Sequence, residues 1–448
     1  MKKYDVIVVG AGIAGLGAAS LLSKKGHSVL LLEREEILGG RSTSFEFRGY
    51  LVDVGLHAIA SLSSSGIGQL LKETGAEFEQ VPIKPSLMHF DLESRSYLRA
   101  TGPERFGQKL YQDFKDLVRA VARMDREEID TYHEISAQSW IMDNFGNPGL
   151  IEFFKKITGF SGQPMDKVSA GAFLETLNDA VTSEATICYP AKGGIRALPD
   201  SLEKVILDNQ GEIITGISAK KLLFSNNRTI GVTARISRPS YIAEMDFFAP
   251  TVVYTAPLIT LPRLLPKDKL PEAMTLKLER IRSAEYYYNG IVIGAKSSLM
   301  DGFSGQFFQW TFDRPGMDWH GIVTVPTYAD SGLAPPDRHL LFIDCHGPMA
   351  QGRPDLAKAR QEELIVLSRE IWPDFDRQID WIQKLIYPTI LPLAQLELAG
   401  PHRPGFHVPE VSGLYLAGDA TYLTGSGIGS ATKSALKCVE EIENRINS

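Results

Sequence analysis

Residues 6–15 read VIVVGAGIAG, and with Glu33 they constrain the chain more than any other stretch. Val6, Ile7, Val8 and Val9 form an unbroken β-branched run, which predicts a strand buried on both faces of a parallel sheet. Gly10-Ala11-Gly12 predicts a tight turn. Ala14, Ala18, Leu21 and Leu22 follow at helical spacing, and the helix is expected to stop near Gly26. A second strand, Ser28 to Leu32, ends on Glu33 and completes a βαβ unit. In such a unit Gly10 permits the turn and Gly12 lets a pyrophosphate approach the backbone. Gly15, one turn on and next to Ala14, lets helix and strand pack closely. The helix N-terminus offers N–H groups and partial positive charge to the phosphates. Glu33 lies 18 residues past Gly15, where a carboxylate accepts from both ribose hydroxyls and repels a 2′-phosphate. The reading is a dinucleotide site that disfavours NADP.

The next residues separate the two remaining dinucleotides. EREEILGGRS places Gly39, Gly40 and Arg41 shortly after Glu33 and Arg34. The glycine pair lets the backbone come close a second time, and a cationic fork beside it suits phosphate or flavin. Here the chain resembles the FAD-dependent superfamily of amine oxidases, protoporphyrinogen oxidases and phytoene desaturases, closest in pattern to the phytoene desaturase-like members. Those proteins carry Gly-Gly-Arg after the ribose acid, then Asp-x-Gly, matched by Asp53 and Gly55 with His57 beyond. GLYLAGDATYLTGSGIGS near the C-terminus continues the likeness, with a strand at Leu414 to Ala417, then Gly418-Asp419, then a helix from about Gly427. The resemblance implies that Asp419 approaches the ribityl and pyrophosphate portion. It also implies that Gly427, Ile428 and Gly429 present N–H groups to the flavin's pyrimidine edge. A middle block, residues 189–234, implies a helix with Leu198, Leu202 and Val205 on one side and an adenine contact near Ala219. The expectation is an α/β fold: a Rossmann-type FAD-binding domain of the GR2 flavoprotein type, with an inserted α+β substrate domain. Residues 1–85, 186–260 and 395–448 form the first domain; residues 86–185 and 261–394 form the second.

The bulk properties fit. A chain of 448 residues with 44% hydrophobic and 23% charged residues is globular and long enough for two domains. The net charge of −7 argues against a nucleic-acid partner. Cys188, Cys345 and Cys438 are far apart and form no C-x-x-C pair, so neither a metal site nor a disulfide framework is expected. The first strand starts near Tyr4, no apolar run is long enough to span a bilayer, and a cytoplasmic protein is expected. Oligomeric state is not legible.

The chemistry implied is removal of a hydride from a substrate C–H bond by non-covalently bound FAD. The segment before Asp419 lacks the Gly-Gly-x-Tyr stretch of an amine oxidase, and the place of a cage aromatic falls near Leu423, beside Tyr422. A largely apolar substrate is therefore expected, handled in the manner of a phytoene desaturase or carotenoid isomerase. Protoporphyrinogen or amine oxidation is the alternative. A flavin-free lipid carrier of the GDP-dissociation-inhibitor type is a distant one, disfavoured because Glu33, Arg41 and Asp419 are retained. His57 is the candidate proton-exchanging residue and Lys192 a weaker one; a core histidine and a surface lysine are the competing readings. Trp140, Ile141, Phe145, Leu150, Phe153 and Phe154, with Lys155 and Lys156, are weighed as a peripheral membrane-docking face against plain packing. Phe308, Trp310 and Phe312 alternate on one strand face, as core or as cavity wall.

Overall fold

A computed structural model describes residues 3–55, 58–62, 65–85, 87–157, 164–182, 187–238, 241–284, 286–301, 303, 305–317, 319–346, 353–389, 395–422 and 427–446. The β-branched run forms the strand Val6–Val9 at the centre of a five-stranded sheet. Its neighbours are Val29–Leu32, then Glu212–Ile214, on one side, and Thr251–Tyr254, then Leu414–Leu416, on the other; all pairings are parallel. Both faces are buried, so the apolar run is continuous rather than alternating. Val6, Val8, Val29 and Leu31 turn into one core, and Ile7, Val9, Leu30 and Leu32 into another.

The first core lies under helices. Ile13–Lys24 packs between Ala197–Asp208 and Gly427–Ile446, and Gly66–Thr74 packs against the last of these. The second core lies under an antiparallel layer of Ile217–Ser225, Arg228–Arg238 and Tyr241–Phe248. Leu261, Leu264, Leu265, Met274, Leu278 and Ile281 also pack into this second core. These residues were expected in the substrate domain. The cofactor sheet needs an apolar cover on that face, and the segment following Tyr254 is the nearest chain able to supply it.

The two insertions build one seven-stranded sheet. Its order is Ile379–Thr389, Tyr286–Lys296, Arg338–His346, His320–Thr324, Gln309–Phe312, Met88–Asp91 and Ser96–Arg99. The parallel pairing of Trp310 with Met88 and of Thr311 with His89 joins the insertions. Trp310 and Phe312 share one face and are fully buried in a core completed by the helix Pro354–Ile371. Phe308 does not join them. The strand begins only at Gln309, and Phe308 turns into the cofactor-side core, its ring centroid 5.4 Å from that of Tyr189. The three aromatics therefore do not form a single wall.

Residues 103–157 and 164–182 fold as a helical cluster. Trp140, Ile141, Leu150, Phe153 and Phe154 are each at most 3% exposed, and Phe145 packs against the same core. Their rings face one another, Phe106 against Phe153 at 4.5 Å and Phe154 against Phe173 at 4.8 Å. Their side chains are taken up in packing the cluster, as the packing reading has it. Lys155 is an outward residue that pairs with Glu152. Among the described residues, no helix is long and apolar enough to cross a membrane.

Candidate functional site

The glycine turn closes the C-terminal end of the central strand. Gly10 has φ +103°, a left-handed geometry that costs a side-chain-bearing residue but not glycine. Thr255, just beyond its own strand, staples the turn: its hydroxyl donates to Gly10 O at 2.7 Å and to Val9 O at 3.0 Å. A Cβ on Gly15 would overlap Gly10 O and stand 2.6 Å from Thr255 Oγ1, so contact between helix and turn depends on its absence. Ala14 is buried beside it. Gly12 differs. It caps the Ile13–Lys24 helix without a side-chain hydrogen bond, and no atom lies within 4 Å of where its Cβ would be.

Glu33 ends the neighbouring strand and leans over this turn. Its Oε2 accepts from the Ala11 N–H at 2.6 Å and its Oε1 from the Glu35 N–H at 2.9 Å. Its backbone joins the layers, donating to Ile214 O and accepting from the Ile217 N–H. Ala219, two residues further along the Ile217–Ser225 strand, is half-buried on the same side of the sheet. Arg34 does not reach the turn; its side chain is 75% exposed and pairs with Glu35. Glu33→Gln should weaken FAD binding about ten-fold, through loss of ~1–2 kcal/mol of charge-assisted hydrogen bonding. Glutamine keeps an oxygen for the Ala11 N–H, so the fold should persist. Titration of apoprotein with FAD is the check, and unchanged affinity would remove Glu33 from the ribose site.

The second glycine pair packs directly on the first turn. Gly39 donates to Ala11 O at 2.8 Å and bridges to Gly12, and a Cβ on Gly40 would stand 3.4 Å from Gly12 Cα. Arg41 then donates to Asp419 Oδ2 at 2.8 Å, joining groups 378 residues apart. Gly418 carries φ +144° and donates to Ser434 Oγ at 2.8 Å, inside the last helix. Gly427 and Ile428 open that helix, with Ile428 against the first core. Gly12, Gly418, Gly427 and Gly429 all have open space at their Cβ positions. A cleft lined by bare backbone at the starts of two helices, with Glu33 at one end and Arg41–Asp419 within it, fits an extended dinucleotide.

Two buried groups brace the cleft. Asp53 is fully buried and accepts from Ser44 Oγ and Tyr189 OH at 2.6 Å each and from the Ile195 N–H at 3.1 Å. Burial pushes its carboxyl up to about 6, while those donors pull the other way. Asp53 so ties the strand leading to Gly55 to the loop at Gly194. Arg403 is also fully buried; its Nε donates to Leu398 O at 2.6 Å and a terminal nitrogen to Asp419 O at 3.0 Å. The Tyr422 N–H donates to Pro404 O at 2.7 Å, so residues 398–404 clasp the loop carrying Asp419. The sequence does not mark Arg403, because an isolated arginine before a proline carries no signal of burial. Lys192 is exposed, in a loop whose Gly193 N–H is held by Asp330 Oδ2 at 2.7 Å. His57 and Leu423 lie outside the described residues. A cavity of about 930 Å³ lined by Lys3, Tyr4, Pro250 and Ser412 sits where the strands begin, opposite the glycine turns, and takes no part in this site.

A model of the family described as flavin containing amine oxidoreductase matches residues 13–294. Prolycopene isomerase of Daucus carota is 24% identical over 98% of this chain and 80% of its own. The 1-hydroxycarotenoid 3,4-desaturase of Flavobacterium sp. is 24% identical over 65% of this chain and 64% of its own. Among solved structures, an oxidoreductase from Methanosarcina mazei superimposes with a TM-score of 0.74 at 24% identity, over 97% of this chain and 99% of that one.

Proposed function

The chain belongs to the flavin containing amine oxidoreductase family and is an FAD-dependent oxidoreductase, and from that premise we propose that its substrate is a largely apolar isoprenoid, desaturated or isomerised as a carotenoid is. The observation that carries this reading is the reach of the likeness to prolycopene isomerase, which spans 98% of the chain and so includes the substrate sheet and the helical cluster. FAD supplies an acceptor for a hydride from a substrate C–H bond. The residues of this chain bind and orient it. Glu33 would take the ribose hydroxyls, the N-terminal turn after Gly12 the pyrophosphate, and Arg41 with Asp419 the segment between pyrophosphate and ring. The N–H groups of the first turn from Gly427 would stabilise negative charge on the cofactor.

The test is anaerobic mixing of the flavin-loaded protein with phytoene, a poly-cis-carotene, a porphyrinogen and a primary amine, followed by flavin bleaching and product absorbance. Conversion of the isoprenoid alone is the expected result. Rapid bleaching by the amine or the porphyrinogen, with no carotenoid converted, would overturn it. The cofactor is expected to be non-covalent. Of the cysteines, Cys438 is fully buried inside the last helix, Cys345 lies in the substrate sheet, and Cys188 is buried in the strand Ile187–Pro190. Acid precipitation should release all yellow colour into the supernatant; colour that stays with the pellet would show a covalent link.

A further inference from the structure

The seven-stranded sheet divides its side chains between two surroundings. Ile291, Ile293, Leu341 and Ile343 face the core under the Pro354–Ile371 helix, while Val292, Leu340 and Phe342 share a core with Tyr189 and Phe308 on the cofactor side. Side chains alternate along a strand, and directly paired residues share a face. Asp344 and His346 therefore continue the cofactor-facing row beyond Phe342. His320 pairs with His346, Ile322 with Asp344 and with Thr311, and Thr311 with His89. The Tyr288 hydroxyl donates to Asp344 from the neighbouring strand. The cofactor-facing surface is thus apolar in its middle and titratable toward the helical cluster.

Two cations enter from that cluster. Arg105 and Lys156 lie 2.9 and 3.4 Å from Asp313 Oδ2, and the Arg105 side chain is only 8% exposed. His89 Nδ1 sits 3.0 Å from Thr311 Oγ1, and its Nε2 is 3.9 Å from Asp313 Oδ1. His320 stacks on His346 at 5.8 Å, is 4% exposed, and has no hydrogen-bond partner among the described residues. Burial holds His89 and His346 down to about 4, lowers His320 well below the usual imidazole range, and raises Asp344 to about 7. Asp91, farther along its strand, is taken up by the Ser94 N–H in an exposed hairpin turn. At neutral pH the histidines are uncharged, and the two cations, Arg105 and Lys156, converge on the same carboxylate oxygen of Asp313.

Excess positive charge and an unpartnered imidazole are costly on a face that would meet only hydrocarbon. They become favourable when an anion completes them. No group of His, Cys, Asp and Glu among the described residues could hold a metal ion, so the histidines serve as hydrogen-bonding groups. We propose that the patch of His89, Arg105, Lys156, Asp313, His320 and His346 is a subsite for the carboxylate end of an otherwise apolar isoprenoid substrate. Arg105 and Lys156 act as its counter-ions and His320 as a hydrogen-bond donor. This rests on the isoprenoid reading above and adds a polar terminus to it.

Binding to the flavin-loaded protein, followed through the flavin absorption band, tests the proposal with four probes: farnesoic acid, farnesol, farnesene and laurate. Farnesoic acid should bind about ten-fold or more tightly than farnesene, the scale of one charge-assisted contact. Arg105→Gln with Lys156→Gln should erase that preference and leave farnesene affinity and flavin content unchanged. Lys156→Gln alone, at a side chain two-fifths exposed, should reduce the preference in part without risk to the fold. Equal affinity for farnesoic acid and farnesene would overturn the subsite and leave the isoprenoid reading standing. Laurate binding as tightly as farnesoic acid, with the same sensitivity to Lys156→Gln, would uphold the subsite and remove the isoprenoid reading. Failure of all four probes to bind would overturn both.

Discussion

Gly15→Ala is expected to yield a protein that no longer retains FAD and melts at a lower temperature. The added methyl would overlap Gly10 O and approach Thr255 Oγ1 to 2.6 Å, and neither can retreat. Gly10 O is held by the Thr255 hydroxyl at 2.7 Å, and Gly10 donates to Leu32 O at 2.8 Å, in the next strand. The helix must therefore lift off the sheet, opening the first core, where Leu16, Ala18 and Leu22 are fully buried. Overpacking of this kind costs about 1–3 kcal/mol and more where backbone is the obstacle. Because the same movement displaces the helix N-terminus from the phosphates, FAD affinity should fall roughly a hundred-fold or more, equivalent to ~3 kcal/mol. Gly12→Ala is the informative contrast. Its φ of −67° suits alanine and its Cβ position is open. The apoprotein should melt as wild type, while FAD binding weakens because the methyl occupies the cleft. Wild-type flavin content and melting temperature in Gly15→Ala would refute the packing argument.

Arg403→Met should be nearly as damaging, by a different route. Arg403 is fully buried and satisfies two backbone carbonyls, Leu398 O and Asp419 O. Methionine fills the volume of the stem but leaves those carbonyls without these donors. Each loses about 1–3 kcal/mol, so the loss is ~2–6 kcal/mol in total. For a chain of 448 residues that is roughly 2–6 °C in melting temperature. The damage should also reach the cofactor, because the Asp419 carbonyl is held by Arg403 while its carboxylate pairs with Arg41. Arg403→Lys should rescue only in part, since one ammonium cannot span two divergent carbonyls as a planar guanidinium does. Thermal melts with and without added FAD measure both effects. A variant with unchanged melting temperature and FAD affinity would show that the clasp is dispensable.

The pKa of Asp53 carries a pH expectation that bears on the same region. A carboxyl held near 6 in the folded chain and near 3.8 when unfolded is neutral over more of the acid range when folded. Its contribution to stability is therefore complete below the unfolded value and declines as pH rises through about 6.

The sequence alone determined the cofactor unit, because its signals are local. A β-branched run, glycines at fixed intervals and an acid at a strand end each act through their own backbone, so Val6–Val9, Gly10, Gly12, Gly15 and Glu33 are legible one residue at a time. The segments Gly39–Arg41 and Gly418–Asp419 stood out through the family resemblance, and the fold brings them together through the Arg41–Asp419 pair. The tertiary structure decided everything that depends on partners far away in sequence. An aromatic stripe such as Trp140, Phe153 and Phe154 reads alike whether it faces lipid or other helices, and only packing shows that it faces helices. Arg403 looks like an ordinary surface charge, and Asp53 like no more than a motif residue, until their donors and acceptors, supplied by other segments, enclose them. The same holds for the patch of His89, Arg105, Asp313, His320 and His346. Its members come from strands and helices spread over more than half the chain; sheet register places His89, His320 and His346 on one face, and the ion pair of Arg105 with Asp313 joins the helical cluster to it.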